Sequence, residues 1–255
     1  MKKFFDYQSP YRTDLFLDLN IYERIIPIIL VVMVGILLYK YRQVLQDDKK
    51  LDKIVRYTIA IVLAVVYSSH YILRFALYGF DTIILPFHLC GIAMFLAVIL
   101  LFTNNRTLFT FVMMTGIAGG LISLATPILG YNSEYYRYYQ FFIAHGILVL
   151  VPFYYLFVHH YIPSGKEIRH SFYILQGLAL FMMVFNYYNN TDFMFLFFDK
   201  AKIDKFPAIK YFGGIPYYII LVEFTAIGYF YVTNQIIRLI EKKDRINTEV
   251  ELQKT

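Results

Sequence analysis

The sequence predicts an all-α fold: a polytopic membrane protein, a seven-transmembrane helix bundle with its amino terminus outside and its carboxyl terminus inside. Three observations predict it. The 255 residues are 59% hydrophobic and only 16% charged, where a water-soluble domain carries about 25% charge. The apolar residues arrive in long blocks, and a helix needs about 20 of them to cross roughly 30 Å of hydrocarbon. Backbone N–H and C=O groups in lipid must be satisfied internally, and the alternating pattern of a barrel is absent, so the blocks read as helices. The whole chain, 1–255, reads as a single membrane domain.

The stretch Met1–Asn20 is mixed and aromatic and reads as interfacial. The first span is expected at about 21–39, with no small-residue cleavage pattern behind it, so a removable signal peptide is not expected. A charged loop from Lys40 to Lys53 leads to a second span at about 54–75. Gly79 and Asp81 mark a turn, and Pro86 suits the first turn of a third span at about 85–102. The fourth span, about 108–124, carries Gly116 and Gly120 at the spacing that lets helix backbones approach closely. The tyrosine-rich loop Tyr131–Tyr139 precedes a fifth span at about 141–158, and Pro163–Gly165 marks the turn to a sixth at about 170–187. The connection Tyr188–Gly214 holds an apolar stretch too short to cross, and the seventh span is expected at about 215–232 before a charged tail. Dense basic groups lie in the Lys40–Lys53 loop and the tail, which sets the orientation by the positive-inside rule. For the same reason the net charge of +6 does not read as a nucleic-acid surface.

Ionisable and polar groups inside spans are costly and are functional candidates by default. In the seven-span frame they gather on the outer side: His70 and Arg74 late in the second span, His88 and Cys90 early in the third, His145 early in the fifth, Asn186 and Asn190 ending the sixth, and Glu223 in the outer half of the seventh. Cys90 is the single cysteine, so neither an intramolecular disulfide nor a Cys-based metal cage can form, and no metal or cofactor is expected.

Cys90 lies near the start of its helix, where the helix dipole favours a thiolate. A histidine from another span at matching depth, His145, can take its proton, which is the geometry of an activated sulfur nucleophile. His88, two residues from Cys90, points elsewhere on the helix and is suited to orienting a substrate or donating to an oxyanion. The plainer alternatives stay open at this point. A membrane cysteine most often just packs, Arg74 snorkels to headgroups, and Asn186 with Asn190 can join helices. His159 and His160, in an inner aromatic run, read as interfacial and structural.

The run Leu85-Pro86-Phe87-His88-Leu89-Cys90 resembles the signature of the YwaF-like bacterial integral membrane proteins, which are similar to the animal transmembrane protein 164 family. The run Phe141-Phe142-Ile143-Ala144-His145-Gly146 resembles a second signature of that group. A third lies in Asn186–Asn190, Phe193–Leu196 and Gly214-Ile215-Pro216-Tyr217-Tyr218, with Ile215 where the group usually has Trp. The resemblance implies a seven-helix membrane protein, in the animal members a cysteine–histidine lipid acyltransferase. Those roles fall on Cys90 and His145. On this reading the enzyme moves a fatty acyl chain from a phospholipid through a Cys90 thioester. A phospholipid or lysophospholipid is the partner, and the location is a bacterial plasma membrane. His88, His70, Arg74, Asn186, Asn190, Tyr217 and Glu223 are the expected substrate-binding residues. The alternatives are a fatty-ester or phospholipid hydrolase using the same pair, and a non-catalytic lipid-binding or transport protein.

Overall fold

A computed structural model of the chain describes residues 4–6, 19–127, 129–196 and 217–252, with side chains undescribed at Ile83 and over 240–252. Most of the interfacial amino-terminal stretch, the connection beyond Leu196 and Ile215 therefore lie outside the described residues. Among the described residues the chain is helical, with no strand. In order, the helices are α1 (Ile21–Lys40), α2 (Arg42–Asp47), α3 (Lys49–Tyr78), α4 (Leu89–Thr103), α5 (Arg106–Ala125), α6 (Tyr136–Val158), α7 (Gly165–Asn189) and α8 (Tyr217–Leu252). Short 3-10 turns occupy Thr82–Ile84 and Phe193–Phe195.

Local chemistry sets many of the boundaries. Asn20 with Glu23, and Ser164 with Glu167, form capping boxes that begin α1 and α7. Asp48 and Asn105 accept from first-turn N–H groups of α3 and α5. Each cap occupies donors that the first turn of a helix leaves open. Asn104 and Asn190 end α4 and α7 in the left-handed conformation that Asn tolerates better than most residues. Helix α4 has no side-chain cap at its amino end.

Among the described residues, six helices are long and apolar enough to cross a membrane: α1, α3, α5, α6, α7 and the part of α8 up to Leu239. The chain is an integral membrane protein, and its exposed Ile, Leu, Val and Phe side chains are the surface that lipid requires. The third expected span is realised differently. Helix α4 has 15 residues and begins at Leu89, so Pro86 lies in a bend ahead of the helix and not in its first turn. At 1.5 Å per residue α4 is about 22 Å long. The other spans extend beyond their expected limits because charged and aromatic flanks continue the helices: α3 starts at Lys49, α6 at Tyr136, and α8 runs through the charged tail.

The helices group into two compact units, Met1–Tyr161 and Ile162–Thr255. In the first, α3, α4, α5 and α6 run antiparallel in succession. Tyr67 on α3 lies beside Gly91 of α4, and Arg56 of α3 reaches the Leu101 carbonyl near the other end of α4. Cys90 of α4 faces Gly119 and Ser123 of α5. The expected close approach at Gly116 and Gly120 is realised against Leu148 and Val149 of α6. Helix α6 returns beside α3, with Gln140 donating to the Val66 carbonyl and Tyr154 bonding Asp52. Helix α1 runs parallel to α6: Tyr138 donates to the Glu23 carbonyl, Val31 lies at Gly146 and Leu150 at Gly35. In the second unit α7 and α8 pack together, and Phe172 meets Phe230 edge-on.

Candidate functional site

Cys90 is the second residue of α4, with His88 as its N-cap. Its sulfur is partly buried and pairs with Ser123 Oγ at 3.8 Å. A Cβ at position 119 would lie 2.8 Å from the sulfur. The glycine therefore makes the space that the sulfur occupies against α5.

One residue further along α5, Gly120 meets α6. A Cβ there would lie 2.5 Å from Val149 Cγ2 and 3.3 Å from the His145 carbonyl oxygen. Consecutive helix residues differ by about 1.5 Å in height. The Cys90 sulfur and the His145 backbone thus approach neighbouring flanks of α5 at the same level.

The His145 ring is buried, tilted against Phe141 at 4.2 Å between centroids. Its Nδ1 lies 2.8 Å from the Phe141 carbonyl oxygen. A carbonyl can only accept, so Nδ1 carries the hydrogen and Nε2 carries the lone pair. The nitrogen available as a base is therefore Nε2. The thiol pairs with Ser123 and Nδ1 with Phe141, and no hydrogen bond joins the thiol to the imidazole.

Helix α3 completes this end of the first unit. Ser69 shares a hydrogen bond with the Tyr136 hydroxyl at 2.6 Å, and Gln140 binds the Val66 carbonyl and Arg137. Arg137 stands 5.5 Å over the Phe141 ring and acts electrostatically on both His70 and His145. Arg74 also acts on His70, whose ring lies 5.0 Å from that of Tyr71. Cys90 is close enough to act on Tyr67 and Tyr71. His88 is exposed. Arg137, Ser123, Tyr67 and Gly119 were not among the residues expected from sequence. The i, i+4 spacing of Gly119 and Ser123 was a legible signal, but it becomes informative only once α5 is known to face Cys90.

The remaining expected residues belong to the second unit. Asn186 is buried. Its Nδ2 donates to the carbonyls of Phe193 and Leu196, and its Oδ1 accepts from Thr191 Oγ1 and the Phe193 N–H, at 2.8–3.1 Å. The amide is fully used in folding the turn after α7, where Met194 and Phe195 have φ of 58° and 59°. Asn190 caps α7. Glu223 accepts from Gln176 of α7 at 2.8 Å. Tyr217 is exposed, whereas its neighbour Tyr218 is buried and donates to the Phe195 carbonyl at 2.9 Å.

A second polar cluster lies at the other end of the first unit. Asp52 accepts from Arg56 Nε at 3.1 Å, from Tyr154 and from His159 Nε2 at 2.9 Å. Arg56 and Tyr155 hold the last carbonyls of α4, at Leu101 and Leu100, at 2.7 and 2.9 Å. Every member has a partner, so the cluster is a lock on the carboxyl end of α4. His159, expected to be merely interfacial, belongs to it. Among the described residues no cluster of three or more His, Cys, Asp or Glu could hold a metal ion.

No curated protein and no solved structure matches the chain. A family model described as the TMEM164 family matches residues 19–234. With most of its length covered, and with Cys90 and His145 inside the matched region, the chain belongs to the TMEM164 family.

Proposed function

We propose that the protein is a lipid acyltransferase that moves a fatty acyl chain from a membrane phospholipid through a thioester on Cys90, with His145 as general base. The observation that supports this reading is that the Cys90 sulfur lies against Gly119 and the His145 backbone against Gly120, so the helices that carry the two residues meet α5 at one level. The Nδ1 hydrogen bond to Phe141 supports it further, because Nε2 is left as the basic nitrogen. The thiol proton passes to Nε2 as sulfur bonds the ester carbonyl carbon, and the same nitrogen returns it to the departing alkoxide. A lysophospholipid hydroxyl then gives its proton to Nε2 as its oxygen bonds the thioester carbon, the C–S bond breaks, and the proton returns to the Cys90 thiolate. His70, Arg74 and His88 are assigned to the lipid headgroup, and Asn186 is left to the turn it organises. Tyr217, Asn190 and Glu223 are assigned no chemical step.

The proposal includes a seventh crossing by α4, with the amino terminus outside, in a bacterial plasma membrane. Support comes from direction: α1 and α6 run parallel, and with α3 and α5 as full crossings that parity requires α4 to carry the chain back. The test is acyl exchange in membranes carrying isotope-labelled phospholipid. Cys90→Ser and His145→Ala are expected to insert normally and to exchange at the rate of membranes lacking the protein. Normal exchange by Cys90→Ser sinks the proposal, and accumulation of free fatty acid without an acylated acceptor turns it into hydrolysis.

A further inference from the structure

Tyr67 projects from α3 onto the first turn of α4. A Cβ at Gly91 would lie 2.8 Å from the Tyr67 hydroxyl and 2.8 Å from the Pro86 carbonyl oxygen, so the hydroxyl sits directly on the residue after Cys90. The ring of Tyr71 packs edge-on at 5.0 Å and its hydroxyl is close enough to act on that of Tyr67, yet the Tyr67 hydroxyl is buried and makes no hydrogen bond of ordinary geometry. A buried hydroxyl without a well-formed bond requires an explanation, because its desolvation is not fully repaid in the resting protein. The backbone beside it is similarly open. Ile92 is the first residue of α4 to bond back, to His88, and no side chain caps the turn, so the Gly91 N–H has no partner within the helix, and the Cys90 N–H faces only its own sulfur.

We infer that the Tyr67 hydroxyl and the first-turn amides of α4 form the oxyanion hole for acylation of Cys90. The inference rests on the acyl-transfer reading and names a catalytic residue it did not contain. As the Cys90 sulfur bonds the ester carbonyl carbon and the thiol proton goes to His145, the carbonyl π pair moves onto oxygen. That oxygen takes hydrogen bonds from the amides and from Tyr67. On collapse the pair returns to the C=O bond, the ester C–O bond breaks, and the leaving alkoxide takes the proton from His145. Tyr67 keeps its proton throughout. Donors fixed where negative charge develops stabilise the transition state more than the ground state. Gly91 is required because any side chain there would occupy the place of the hydroxyl.

The test uses full-length protein in detergent micelles with p-nitrophenyl octanoate, reading the burst of nitrophenolate, and iodoacetamide alkylation of Cys90 in parallel. Alkylation needs the sulfur and develops no oxyanion. Wild type is expected to burst and Cys90→Ser is not. Tyr67→Phe, which keeps the ring and removes only the buried hydroxyl, is expected to acylate about 100-fold more slowly while its alkylation rate and melting midpoint stay at the wild-type values. A wild-type burst from Tyr67→Phe overturns the inference, as does a parallel loss of burst and alkylation, which would make Tyr67 a mere support for the sulfur. If wild type gives no more burst than Cys90→Ser, the acyl-transfer reading itself has failed and takes this assignment with it.

Discussion

Gly119 stands against the Cys90 sulfur so closely that a Cβ at that position would lie 2.8 Å from Sγ. The position of the sulfur therefore depends on an atom that is missing from the neighbouring helix. Gly119→Ala is expected to rotate the sulfur away from Ser123, since a cysteine side chain moves more easily than a helix. The stability change should stay within about 1 kcal/mol, because only one side-chain end must shift. The Cys90 alkylation rate should change several-fold, and thiol-reagent kinetics beside a thermal melt check both.

The next residue behaves differently. At Gly120 an added Cβ meets Val149 at 2.5 Å and the His145 carbonyl at 3.3 Å, so backbone must move. Gly120→Ala is expected to cost about 1–3 kcal/mol by overpacking and to weaken acyl transfer by separating α5 from α6. Gly177→Ala, where nothing lies within 4 Å, supplies the contrast. It should be neutral or stabilise by up to about 1 kcal/mol through helix propensity. Melting midpoints of the two variants decide the matter.

Asp52 joins Arg56, Tyr154 and His159 away from solvent. Asp52→Ala leaves the Arg56 charge uncompensated and is expected to destabilise by about 3–5 kcal/mol. Replacing both residues, Asp52→Leu with Arg56→Met, should recover much of that loss. A double-mutant cycle in detergent measures the coupling.

Asn186 makes four hydrogen bonds around a turn with two successive left-handed residues. Asn186→Ala is expected to open that turn at a cost of about 1–3 kcal/mol for the buried groups it strands. Limited proteolysis should then cut near Phe193, with Cys90 alkylation unchanged.

Much of this was legible in the sequence. Long apolar blocks identify helices because lipid offers the backbone no other partners, and the spacing of Gly116 and Gly120 predicted a close helix approach without saying that α6 is the partner. Counting residues along spans gave only an expected depth for Cys90 and His145. What counting could not supply was azimuth, the direction each side chain takes around its helix. That is why Tyr217 was expected where Tyr218 points inward, and why Gly119, Ser123 and Tyr67 went unmarked. Asn186 read as a binding residue because its amide is costly in a membrane. Its partners are the turn's own backbone and Thr191, close enough in sequence to have been found. Asp52 and His159 are far apart in the chain, and only the antiparallel return of α6 along α3 joins them.

The most direct measurement is the covalent state of Cys90 itself. Full-length protein incubated with phosphatidylcholine carrying an isotope-labelled acyl chain, then quenched in acid, is predicted to carry that acyl mass on the Cys90 peptide. The adduct should be labile to neutral hydroxylamine, as a thioester is, and strongly reduced in His145→Ala. Labelled acyl transfer that proceeds with no such adduct, and continues in Cys90→Ser, would contradict the account.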